Sequence, residues 1–486
     1  MQFPFGRLAP DALEMEPGIC MVADGVLPLR SGYGPYPGLS ESATATALSA
    51  APRGMLSYTK ADGSWAVVAG TETTIEEKAS DDTWSSIGTG FTSTEGDDWC
   101  MARFGTKLLA TNTTDGLNAY DVETPAGFGA VAAAGDPRWI FECGNMLFGL
   151  DCLDRSSARD NRLIRSSKFS DHTAWTGVGT DYQPLESGGA LIWGGKLSDT
   201  SALVLQERAV KLIQVGNVGG GALWGLQSVA EEFGSNGAKS CVNFDGMVFW
   251  FATDGFRKFS LGGGIEQIGA GLVDQWFLDR VDQSDLSLIQ ASIDPFRKCV
   301  LWRYKRTDVG ASVIFEDIIG YNWQWKRWFT LDLDTTYLSY TAEPASTYDA
   351  YSGTYDAATT TYDARTLQGG QPQFGVLNST FVWNTFSGSN LAATLTTATS
   401  NSPVTGLIGW ATPIDDAAAG TLELGVKDQT SDSITWKTAA SKVSAGRVPL
   451  RGRGTNIAFR YNVAAGADWS YARGVDHIVA ATGGPR

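Results

Sequence analysis

Acid–base, nucleophilic or zinc chemistry would have to run through His172 and His477, the two histidines of this chain of 486 residues. Each follows an aspartate, but they fall in different predicted domains, and neither sits beside a nucleophile motif. G-x-S-x-G, H-E-x-x-H and the P-loop are all missing from the sequence, so neither a Ser-His-Asp triad nor a zinc site finds support in the spacing. Glycoside hydrolysis would need two carboxyl groups roughly 5 to 9.5 Å apart. The adjacent pairs Asp81-Asp82, Asp97-Asp98, Glu231-Glu232 and Asp415-Asp416 would point to opposite faces of a strand. Solvated turns are their expected role. Thr347-Tyr-Asp-Ala, Thr354-Tyr-Asp-Ala and Thr361-Tyr-Asp-Ala recur at a step of seven. Asp349, Asp356 and Asp363 lack the glycine-turned ligand density of a calcium loop, and the seam of a coiled coil is absent, so the expectation is hairpins or a loop extension without metal.

Two further clusters could bind rather than react. Trp323, Trp325, Trp328 and Phe329 are interleaved with Lys326 and Arg327, a pattern that fits a sugar or single-strand stacking platform. It fits better an alternating strand whose rings pack a core while the cations stay wet. Arg447, Arg451, Arg453 and Arg460 form a local basic patch, read as a solvated strand face or a surface for an acidic partner. Neither cluster implies a cofactor, and none is expected.

The chain is acidic, with 53 Asp+Glu against 37 Lys+Arg, which disfavours sequence-independent adhesion to nucleic acid or anionic lipid. The excess is uneven: residues 376–486 hold 9 basic and 7 acidic side chains, leaving 28 against 46, or −18, in residues 1–375. The six cysteines, Cys20, Cys100, Cys143, Cys152, Cys241 and Cys299, show no C-x-x-C spacing and read as reduced, buried small hydrophobes. The start lacks the n- and h-regions of a secretory leader, and no stretch approaches the ~18 apolar residues of a membrane helix. The expectation is a protein made in a cytoplasm, staying soluble or assembling there, without membrane insertion.

The elements that must carry these residues are β-strands. Gly 57, Trp 17, Tyr 15 and Phe 22 against 19% charged residues favour many short strands joined by tight turns. Strongly apolar strands begin at Trp65, Lys107, Asn145, Ser201, Met247 and Lys298, separated by 42, 38, 56, 46 and 51 residues. Such intervals match propeller blades of four strands, roughly 40 to 50 residues each. Asp62-Gly63, Asp115-Gly116, Asp245-Gly246 and Asp254-Gly255 supply the positive φ of two-residue hairpin turns. Blades packed on both sides explain runs such as Val248-Phe-Trp-Phe, apolar on both faces, better than two stacked sandwiches do.

The predicted fold is therefore all-β. A six-bladed β-propeller fills residues 53–335, after an extended N-terminal arm (1–52) that carries six prolines in its first 50 residues. A Tyr/Asp/Thr-rich extension (336–375) and a small C-terminal β domain (376–486) follow. An arm without its own core gains order only by docking; Phe3, Phe5, Tyr33 and Tyr36 are the anchors it offers. The propeller is not of the sialidase or WD40 kind. Phe169-Ser-Asp171-His-Thr-Ala-Trp175 has the wrong spacing for S-x-D-x-G-x-x-W, and the WD and Gly-His signature is missing.

The opening carries a specific run: Phe5-Gly6, Pro10-Asp11, Pro17-Gly18, Ala23-Asp24-Gly25-Val26-Leu27-Pro28 and Gly32-Tyr33-Gly34-Pro35-Tyr36-Pro37-Gly38-Leu39. With Arg165-Ser-Ser-Lys-Phe-Ser-Asp171, Val448-Pro-Leu-Arg-Gly-Arg-Gly and Ala467-Asp-Trp-Ser, it resembles the tail nozzle (tail hub, packaged-DNA stabilisation) proteins of short-tailed bacteriophages. The resemblance implies a structural virion protein and not an enzyme: a hexamer below the portal and adaptor ring, a conduit and closure for packaged double-stranded DNA, which passes without specific binding. It implies tail fibres or spikes as further partners, assembly in the bacterial host cytoplasm, and residence in the virion tail. Phe3, Phe5, Pro10, Asp11, Tyr33 and Tyr36 become expected assembly contacts. The competing readings are a receptor- or carbohydrate-binding tail protein, with or without degrading activity, and a host-derived propeller serving as a monomeric ligand-binding scaffold.

Overall fold

The structure, a computed structural model, describes residues 2–60, 65–216, 223–308, 315–342, 372–443 and 445–481. From Gly54 to Thr335 six antiparallel sets of four strands follow one another. The first is Gly54–Thr59, Trp65–Gly70, Thr74–Lys78 and Trp84–Thr89; the sixth is Gln290–Asp294, Cys299–Tyr304, Phe315–Asn322 and Arg327–Thr335. Those between begin at Cys100, Trp139, Leu191 and Val242. In every set the strands pair in sequence order, and the first strands of successive sets touch around a circle. These are the six expected propeller blades.

A further four-stranded sheet stands between the sixth blade and the first and closes the circle. Its strands are Tyr337–Ala342, Pro372–Leu377, Trp383–Thr385 and Ser40–Glu41. The outermost comes from the N-terminal part, with Asn384 opposite Glu41 and Thr385 opposite Ser40. The strands singled out as apolar on both faces are the second of each blade. Met247–Ala252 is buried at all but its first residue, because it has a strand on either side and a neighbouring blade over each face. Between blades three and four, Phe148 stacks on Phe141 at 5.2 Å and meets Trp224 edge-on at 5.3 Å; each such burial stabilises by roughly 3 kcal/mol. At Asp245-Gly246 both residues have positive φ, 48° and 72°, as a two-residue hairpin turn requires.

The rest of the chain departs from the expected division. Residues 1–52 are no coreless arm. Gln2–Pro4 pairs with Ala472–Ala481, Arg7–Leu8 with Ile19–Asp24, and Ile19–Asp24 with Ala393–Thr397. These strands, with Ser400–Asp415, Thr421–Lys427 and Val448–Val463, form one β domain from both ends of the chain. Among the described residues its sheet is continuous with the sixth blade through a single parallel pairing, Asp24 with Thr330. The C-terminal domain therefore starts near Ala393 and not at 376, since Pro372–Leu377 and Trp383–Thr385 belong to the closing sheet. Composition concealed this, because prolines at sheet edges and in turns look the same in sequence as prolines in a disordered arm. Asp62-Gly63 and the three Thr-Tyr-Asp-Ala repeats lie outside the described residues.

Candidate functional site

Each blade runs inward strand first, so the connections between blades gather at one end of the ring together with the turns joining second and third strands. There the structure has a cavity of about 820 Å³. Gly96 and Asp98 precede the second blade, Arg138 and Trp139 open the third, and Asp151, Arg159, Asp160, Asn161 and Arg162 come from the middle strands of the third. Glu207 stands in the central turn of the fourth blade, and Asn236 and Lys239 precede the fifth. The wall thus holds four carboxylates (Asp98, Asp151, Asp160, Glu207) and four cations (Arg138, Arg159, Arg162, Lys239).

The charges are mostly tied. Lys239 Nζ lies 2.7 Å from Asp98 Oδ2, joining the start of the fifth blade to that of the second. The pair bridges the ring between these two blades and lines the cavity, a cup at this end of the ring. Arg159 Nη1 donates to Asp151 O at 2.7 Å and Oδ1 at 3.1 Å, and its Nη2 to Asp136 O at 3.0 Å. Asp151 sits at a bulge with φ 54°. The Arg138 guanidinium donates to Gly96 O at 2.5 Å and covers the Trp139 ring at 5.2 Å. Arg162 approaches Asp160 only to 4.0 Å. Among the described residues the Glu207 carboxylate has no ion pair, and the buried Arg138 Nε and Asn236 Nδ2 have no acceptor. None of these residues except Asp98 was singled out from sequence. The available signal was their position: charged residues in short connections that immediately precede an apolar strand.

The sequence-predicted residues fall elsewhere. His172 is half-buried against Phe104, and burial lowers its pKa; His477 is fully buried between Phe3 and Phe459, at 5.0 and 5.3 Å. The structure does not bring the two together. Asp97 and Asp98 are buried, contrary to expectation. Asp97 accepts from the Thr113 and Thr114 amides at 2.8 and 3.2 Å and holds the neighbouring hairpin turn, while Asp98 takes Lys239. Asp415 is paired with Lys442, and Asp416 accepts from the Ser470 amide at 2.9 Å. Among the described residues no group of three or more His, Cys, Asp or Glu is placed to hold a metal. Trp328 and Phe329 are core, as the alternating-strand reading expects, with Trp328 Nε1 donating to Ile268 O at 3.0 Å; Lys326 reaches Glu266. Arg451 and Arg453 point outward from Val448–Val463, Arg447 covers Trp410 at 4.4 Å, and Arg460 covers Trp436 at 4.0 Å. The cysteines are free thiols, and burial pushes Cys20 and Cys241 up to about 12.

The expected assembly anchors serve the chain's own core. Phe3, Phe5, Tyr33 and Tyr36 are buried. Phe5 stacks on Tyr461 at 6.1 Å, and Tyr36 lies between Phe329 and Phe386 at 5.7 and 5.3 Å under the Arg297 guanidinium. Phe3 and Phe5 pack inside the β domain, while Tyr33 and Tyr36 join it to the sixth blade. Asp11 accepts from the Gln275 and Trp276 amides at 2.8 and 2.7 Å, capping the short helix Asp274–Leu278 from outside. Pro10 is half-buried in the turn before it.

No family model matches the chain, and no curated protein matches its sequence. Among solved structures it is similar to a chain of the mitotic checkpoint complex (10% identity, TM-score 0.39, covering 74% of this chain and 95% of that one). It is similar also to the Cps50 (Swd1) β-propeller domain of Myceliophteria thermophila (7%, 0.41, 71% and 99%) and to streptogramin B lyase (12%, 0.41, 72% and 96%). The chain is an all-β protein with a β-propeller body.

Proposed function

We propose that this protein is a structural part of a virion tail: the nozzle, or hub, of a short-tailed bacteriophage, acting as a ring of copies and not as an enzyme. The observation that carries this reading is where the most specific part of the resemblance lies. Ala23–Pro28 and Gly32–Leu39 form the seam between propeller and β domain, with Asp24 opposite Thr330, Arg327 Nη1 donating to Gly32 O at 3.0 Å, and Tyr33 and Tyr36 buried. A subunit that must bear load across a ring needs its two domains fixed as one body, and this run fixes them. Because Lys239 and Asp98 bridge each propeller's own ring, the DNA lumen in this reading lies between subunits. The −18 of residues 1–375 then supplies a wall that repels the duplex backbone and lets it slide, within the ~8 Å that physiological salt leaves unscreened.

The test is the mass of the purified chain, alone and mixed with adaptor rings, with negative-stain images. Six copies on each adaptor ring support the reading. A chain that stays monomeric in the presence of adaptor rings contradicts it and favours the ligand-binding scaffold.

A further inference from the structure

From the cup at the mouth of the propeller we infer a binding site for an uncharged oligosaccharide. This goes beyond the tail reading and does not depend on it. The wall carries equal numbers of carboxylates and cations, so a ligand with net charge gains no overall field. Donors and acceptors are instead interleaved, and two exposed ones are uncommitted: the Glu207 carboxylate, and Arg162 with its nearest carboxylate at 4.0 Å. A hydroxyl both donates and accepts, and vicinal hydroxyls match the forked geometry of carboxylate, guanidinium and amide groups. The half-buried Trp139, with Arg138 over its ring, also lines the cup and adds apolar surface beside them. At about 820 Å³ the cup lies in the ordinary range for small-ligand sites and is far larger than an inorganic anion needs. The Lys239–Asp98 bridge is part of its lining.

The experiment is ligand-observed NMR and calorimetry on the full chain with maltotetraose, chitotetraose, mannotetraose and a rhamnose tetrasaccharide, and with inorganic phosphate as the charged control. Expected is binding of at least one tetrasaccharide at millimolar or better affinity, with none of phosphate. The Glu207→Ala and Arg162→Ala variants should each weaken it tenfold or more. Both side chains stand at the rim, and unchanged thermal unfolding separates lost binding from lost fold; if one variant unfolds, the other decides. No tetrasaccharide binding at 10 mM, binding indifferent to the folded variants, or binding of phosphate instead would overturn the inference. The ring-assembly measurement is unaffected by any of these results.

Discussion

Replacing Asp24 by Asn should stabilise the protein at neutral pH and do nothing near pH 4. Asp24 sits at the strand pairing that joins the sixth blade to the β domain. Burial pushes its pKa up to about 6 from 3.8, the Thr330 hydroxyl at 2.7 Å opposes this, and Asp332 and Asp317 add to it. A shift of roughly 2 units at about 1.36 kcal/mol each means that the ionised form costs the fold on the order of 3 kcal/mol as an upper value. The folded pKa lies above the unfolded one, so between about pH 4 and pH 6 the native state binds more protons than the unfolded state. Stability from this group is therefore greatest below pH 4, falls as pH rises through that window, and the whole penalty is present above it. Asparagine keeps the acceptor for Thr330 and carries no charge. Urea denaturation at pH 4 and pH 7.5 should show a raised midpoint for Asp24→Asn only at the higher pH, with an unchanged slope. A stability difference that is the same at both values, or a destabilised variant at pH 7.5, would refute the burial reasoning.

Three other outcomes follow from the packing. Tyr36→Ala should cost about 3–5 kcal/mol in chemical denaturation, while Tyr36→Phe should be near neutral, because the buried hydroxyl has no acceptor among the described residues. Lys239→Met leaves Asp98 buried without its partner and should cost about 1–3 kcal/mol; Asp98→Asn in the same chain should recover part of it, read in a double-mutant cycle. Deleting residues 2–39 should unfold the β domain and not yield a folded chain that has merely lost a docking arm, because the segment supplies the strands Gln2–Pro4 and Ile19–Asp24 and four buried aromatics. Circular dichroism and limited proteolysis of the truncated chain decide it.

The blades were legible because their second strands are covered on both faces, a condition that only runs like Val248-Phe-Trp-Phe satisfy, and because their spacing repeats. The closing sheet was not legible. Its strands come from Ser40–Glu41 and from either side of residues 343–371, and no local pattern encodes a pairing across more than 300 residues. For the same reason Phe3, Phe5, Tyr33 and Tyr36 looked like free anchors. Aromatic residues among prolines read alike whether they meet another chain or the far end of their own. The cup was invisible for a different reason: its charged groups come from separate connections, and only closure of the ring brings Asp98 to Lys239.

The central claim is a ring of copies with its lumen between them, and electron cryomicroscopy of the chain assembled on adaptor rings tests it most directly. The predicted map has six copies about one axis, no duplex path through any single propeller, and a channel wall that is net negative from residues 1–375. A map with the copies absent from the axis, or with a neutral or basic wall, would contradict it.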